Sequence, residues 1–163
     1  MTILEVMVAS AVLLVALATF FSTLARLGQT ESYALAHQRS LDDLRLAADS
    51  FSRDTRQAAR VISGTTSRLE FDQYVGPGLA RTVWEVFTDA NGTRNLRRTR
   101  GGGTAVFVVA LTDQTVFEYR PSSTTPDEIR RVQLFMSTKP LKDYPAVNLT
   151  TEVTLRNVAF ANL

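Results

Sequence analysis

The hydrophobic pattern divides the chain into three stretches. From Val6 to Ala25 no side chain is charged, and Arg26 ends the run. At the helical rise per residue such a run is about 30 Å long, the thickness of a bilayer's hydrocarbon core. After Arg26 the apolar positions become periodic. Leu41, Leu44, Ala48, Phe51, Thr55, Ala58 and Ile62 recur at spacings of three and four, which predicts one apolar stripe on a helix. Asp42, Asp43, Asp49, Asp54, Arg45, Arg53 and Arg56 fall on the other face, with Asp49 and Arg53 spaced for an i, i+4 ion pair. Ser63-Gly64 reads as the stop. The pattern therefore predicts one helix from Thr2 to Ile62, about 90 Å long. Its stripe lasts only about three heptads and has a sheet to cover it, which favours helix-on-sheet packing over a coiled coil.

Beyond Gly64 the period shortens to that of strands separated by turn residues. Candidate strands are Arg68–Tyr74, Thr82–Phe87, Arg94–Thr99, Ala105–Leu111, Thr115–Tyr119, Ile129–Ser137 and Leu149–Phe160. Asp89-Ala90-Asn91-Gly92-Thr93 is a hairpin signal, because Asn-Gly tolerates the positive φ of the favoured tight turns. Gly76-Pro77-Gly78, Gly101-Gly102-Gly103 and the polar run 121–126 read as loops. Strands joined this closely pair antiparallel. The expected fold class is α+β: a long N-terminal helix whose C-terminal half packs on an antiparallel β-sheet. It divides into an apolar helix segment (1–26), its amphipathic continuation (27–63) and a β-rich head (64–163). Trp84, Phe87, Phe107, Phe117 and Phe135 are the expected core and subunit-contact aromatics.

Composition narrows the chemistry. The 163 residues carry a net charge of only +2, so any basic patch must be local. Cysteine is absent, which excludes disulfides and thiolate metal sites. The only histidine, His37, lies between Ala36 and Gln38 on the helix, a solvated position rather than that of a catalytic base. No metal-ligand cluster, phosphate-binding glycine loop or nucleophile elbow appears. No enzyme activity and no cofactor are expected. Arg94, Arg97, Arg98 and Arg100 are the one candidate binding cluster, for DNA phosphates or another anionic polymer. Strand alternation, however, puts Arg98 and Arg100 on the face opposite Arg97. Asn91 stands in an extended bacterial N-glycosylation sequon, Asp89 to Thr93, and Asn148 in the shorter one. The turn alone is enough to explain Asn91.

Glu5 stands at the head of the apolar run. A charge there is costly in lipid. It makes sense if the carboxylate gains a cationic partner when the helix leaves the membrane for a protein interior. A secretory signal peptide would carry a basic segment before the run, and here no Lys or Arg precedes it. A plain membrane anchor satisfies the hydrophobicity equally well.

The order Met1-Thr2-Ile3-Leu4-Glu5-Val6-Met7-Val8-Ala9 resembles the mature N-terminus of type IV pilins and their relatives, the type II secretion pseudopilins. In that family a prepilin peptidase cuts before a Phe or Met, the new amino group is methylated, and a Glu stands fifth. The resemblance implies N-methylation of Met1 and an ion pair between Glu5 and the Met1 amine of a neighbouring subunit. It further implies a filament core built from Val6, Val8, Val12, Leu13, Val15, Leu17, Phe20, Phe21 and Leu24. Its implied partners are copies of this chain or other pilins, the pilus assembly machinery, and inner-membrane lipid before assembly. The implied destination is an extracellular filament on a bacterial surface. Many members carry a Gly and a Pro where Leu14 and Ser22 stand here, so a continuous helix is expected instead of a local unwinding. Arg53-Asp54-Thr55-Arg56-Gln57-Ala58 resembles a signature before the first strand of larger minor pilins and pseudopilins. A low-copy subunit of that kind is one alternative, and a membrane-anchored binding module that never polymerises is another.

Overall fold

The computed structural model describes residues 2–113, 116–121, 125–140 and 144–155. The fold is α+β, one long helix, α1 (Ile3–Arg56), followed by antiparallel β-structure. The chain forms two compact units, Met1–Gln38 and Arg39–Leu163. α1 runs without a break through Leu14, Ser22 and Gly28. With no Pro to remove a hydrogen bond, nothing local interrupts the ladder.

The helix ends six residues earlier than the pattern predicts. Ala58–Thr65 is a strand, β1, and not the last turns of α1. Register shifts between Ala58 and Arg60 and between Val61 and Ser63 interrupt its pairing. They leave Ala58 and Val61 buried three residues apart, a spacing that mimics a helix because bulges break the strand period. Gly64 is not a helix stop either. A Cβ there would lie 2.8 Å from the ring of Tyr119, so the glycine makes room for that ring.

In the Arg39–Leu163 unit, β1 is followed by β2 (Arg68–Val75), β3 (Gly78–Thr88), β4 (Arg94–Arg100) and β5 (Gly103–Leu111), a meander in chain order. A second sheet holds β6 (Phe117–Arg120), β7 (Arg131–Ser137) and β8 (Asn148–Thr154). The start expected for β6 at Thr115 and the end expected for β8 at Phe160 lie outside the described residues. Short hydrogen bonds join the sheets: the Val116 and Phe117 amides donate to the Thr66 carbonyl at 2.8 and 2.9 Å, and the Thr112 amide to Ser137 at 2.8 Å. The Tyr119 hydroxyl adds to this seam, 2.8 Å from the Thr65 carbonyl and 3.0 Å from that of Arg68. Burial pushes its phenol well above the ordinary value.

The core lies between the last turns of α1 and the two sheets. Leu44, Ala47, Ala48 and Phe51 supply the helical side. Phe51 meets Trp84 edge-on at 5.6 Å and Phe117 at 5.8 Å between centroids, and Trp84 stacks on Phe107 at 5.2 Å. Such contacts add to the area each ring buries. Phe87 and Phe135 are only half-buried.

The hairpin between β3 and β4 forms where expected, by a different device. Asp89 is its organiser. Its Oδ1 accepts the Asn91 amide at 2.9 Å and the Thr93 amide at 2.8 Å, and its Oδ2 accepts the Asn95 side chain at 3.2 Å. This is an Asx turn. Gly92 alone in the loop has a positive φ, +75°, so Asn91 is not in the left-handed region.

Candidate functional site

The first candidate is the apolar half of α1. Ile3–Arg56 is long and apolar enough to cross a membrane. All nine apolar residues expected to build a core, from Val6 to Leu24, are exposed on the single chain. Four hydroxyls interrupt this surface, and each bonds back to its own helix. Ser10 donates to the Met7 carbonyl, Thr19 to Ala16, and Ser22 and Thr23 to Thr19, at 2.8–2.9 Å. Such back-bonding removes the penalty of a free hydroxyl in hydrocarbon.

At the head of the helix Glu5 has a partner in its own chain. Its Oε2 accepts the Thr2 amide at 2.8 Å, and the Thr2 hydroxyl accepts the Glu5 amide at 3.4 Å. Thr2-Ile3-Leu4-Glu5 is thus a capping box, two free amides satisfied reciprocally. A carboxylate in the first turn also complements the helix dipole. The T-x-x-E spacing of Thr2 and Glu5 is itself a sequence signature of such a box. Met1, the expected methylation site and source of the pairing amine, lies outside the described residues.

The arginine cluster is dispersed. Arg97 turns to the face away from α1, where Nη2 lies 2.7 Å from Glu85 and the guanidinium covers the Phe87 ring at 5.0 Å. Arg98 and Arg100 point to the α1 side and approach the two carboxylate oxygens of Asp54 at 3.4 and 3.5 Å. Arg94 donates to the Thr112 carbonyl at 3.0 Å. The structure does not bring the four together.

Asp54 is the residue the pattern placed wrongly, on the solvent face. Its side chain is only 3% exposed. In the last turn of a helix a carboxylate opposes the dipole, and the two arginines of β4 offset that. Gln73, fully buried, completes the cluster. With its amide turned to satisfy both ends, it donates to the Asp54 carbonyl at 3.2 Å and accepts from Thr82 at 3.3 Å and Arg100 at 3.1 Å. The cluster is a structural lock between α1 and β4. The predicted Asp49–Arg53 pair does not form; on the exposed helical face Arg45 approaches Asp42 instead, at 4.0 Å.

On the outer face of the first sheet, acids and arginines alternate. Arg60 and Arg81 flank Asp72, Arg81 and Arg68 flank Glu70, and Arg68 and Arg97 flank Glu85, at 2.7–3.6 Å. The carboxylates lie lower than the guanidiniums that cover them, a network of neutralised charge.

Asn91 is exposed in its loop, and Asn148 is exposed at the first position of β8. His37 is half-buried and not fully solvated. Among the described residues, no group of three or more His, Cys, Asp or Glu could hold a metal ion. No family model, curated protein or solved structure matches the chain.

Proposed function

We propose that this chain is a structural subunit of a type IV pilus-like filament, held in the inner membrane by α1 until it polymerises through that helix. The observation that carries the reading is the exposed apolar surface of the first half of α1, with one carboxylate at its head. An exposed apolar stretch of that size needs lipid or other copies of itself for cover. Glu5, next to a filament core, then needs a cation, and the Met1 amine of a neighbour supplies one. The β-bearing unit faces outward, and no enzyme activity is assigned to it.

The capping box favours a second reading, in which Glu5 serves only its own helix and the protein is an anchored binding module. The two are separable because Gln fills a capping box as Glu does but carries no charge. Under the filament reading Glu5→Gln abolishes or severely reduces filaments sheared from cells, with normal amounts of chain left in the membrane. Wild-type filament yield from Glu5→Gln overturns the pairing role. Mass spectrometry of sheared filaments then separates a major from a low-copy subunit by the abundance of a peptide beginning with N-methylated Met1.

A further inference from the structure

A small cleft of about 200 Å³ opens where the two sheets meet, lined by Gly92, Arg94, Leu111, Thr112 and Lys139. Its position follows from pairing: Arg94 lies opposite Leu111, and Leu111 bridges to Thr138. That brings Arg94 from β4 and Lys139 from just beyond β7 to one cleft, although they are far apart in sequence. The other three arginines of β4 each meet a carboxylate. Among the described residues, neither Arg94 nor Lys139 forms an ion pair.

Among the described residues, the nearby acids Asp89 and Asp113 do not supply one. Asp89 spends both oxygens on the Asn91 and Thr93 amides and the Asn95 side chain. Asp113 lies 3.5 Å from the Thr112 hydroxyl, whose proton goes to the closer Ser137 carbonyl at 3.0 Å. Arg94 is half-buried, and one of its nitrogens is fixed on the Thr112 carbonyl. The guanidinium is therefore held in place and, among the described residues, its other N–H groups meet no acceptor, the arrangement that suits a planar or tetrahedral oxyanion. Two cations match the charge of a phosphate near neutral pH, which is between about −1.5 and −2 for a monoester.

We propose that this cleft binds a small oxyanion with the size and charge of a phosphate group. The proposal does not depend on the filament reading.

The test is a titration of inorganic phosphate into the full chain in a maltoside detergent, followed by calorimetry. One saturable site is expected. Lys139→Gln and Arg94→Gln should each weaken it about tenfold, the scale of one hydrogen bond to a charged group. Arg97→Gln, on the other face, should leave it unchanged. Lys139→Gln alters an exposed side chain, so an unchanged melting temperature keeps that arm decisive if Arg94→Gln unfolds. Absence of saturable binding, or equal weakening by Arg97→Gln, overturns the proposal. Glycerol phosphate and dimethyl phosphate distinguish the source. Preference for the monoester points to a soluble phosphate ester, and equal binding of the diester to a polymer backbone.

Discussion

The two compact units solve opposite problems with the same helix. In Met1–Gln38 the large apolar side chains from Val6 to Leu24 are exposed, and the hydroxyls among them are satisfied by carbonyls one turn back, as Thr2 and Glu5 satisfy each other at the head. In Arg39–Leu163 the apolar side chains are buried, and polar ones such as Asp54, Gln73 and Asn95 are buried with them. Hydroxyls on an apolar surface, where no polar side chain lies beside them, are satisfied by their own backbone. An interior closed by its own chain can draw partners from distant strands. The difference separates a stretch closed into an ordinary folded core from one whose apolar side chains stay uncovered on the single chain.

The same deletion in both regions should give the largest contrast. Phe51→Ala removes a fully buried ring wedged between Trp84 and Phe117 and should cost about 3–5 kcal/mol. Phe20→Ala, on the exposed apolar surface, should change the stability of the β-bearing unit by less than about 0.5 kcal/mol. Denaturant titration followed by the fluorescence of Trp84, the only tryptophan, reads both. Comparable losses would mean that the two units do not divide the work as described.

Asp54→Ala comes next. It leaves Arg98 and Arg100 facing a buried void in charge and should cost about 3 kcal/mol in the same titration, whereas Asp49→Ala on the exposed face should be neutral. Gly64→Ala drives a methyl group into the Tyr119 ring and should cost about 1–3 kcal/mol; a neutral result would show that the ring can move aside.

Tyr119→Phe should cost less near neutral pH than the buried-site changes at Phe51 and Asp54, about 1 kcal/mol, but with a distinct pH dependence. The folded phenol titrates above its unfolded value, so above about pH 10 the unfolded chain sheds a proton that the folded chain keeps. Its contribution is complete below the unfolded value and is lost as the pH rises towards the folded one. Alkaline melting curves should therefore fall more steeply for wild type than for Tyr119→Phe. Parallel curves would remove Tyr119 as the cause.

Much of the architecture was readable because hydrophobic period is a strong signal in long elements. The uncharged run, the later helical stripe and seven of the strands announce themselves in this way. The failures have specific causes. β1 is bulged, and bulges turn its period of two into a helical three. Asp54 reads as a surface residue because its arginine partners are more than forty residues away, and no local pattern encodes a pairing across a sheet. Gly64 looked like a stop because the ring that requires it lies on another strand. Asp89 was visible but overshadowed by the Asn-Gly beside it. At the candidate site the Thr2–Glu5 box was fully legible. Lys139, by contrast, joins Arg94 only through the pairing of Arg94 with Leu111 and of Leu111 with Thr138.

The seam around Tyr119 bears on cooperativity. Its hydroxyl touches carbonyls more than fifty residues earlier, and the adjoining Val116 and Phe117 amides close on the same β1–β2 turn. The second sheet is therefore no optional appendage that could fray while the first stays intact. In hydrogen-exchange terms, the Val116 and Phe117 amides should become labile only together with the β1–β2 hairpin, as a single opening unit.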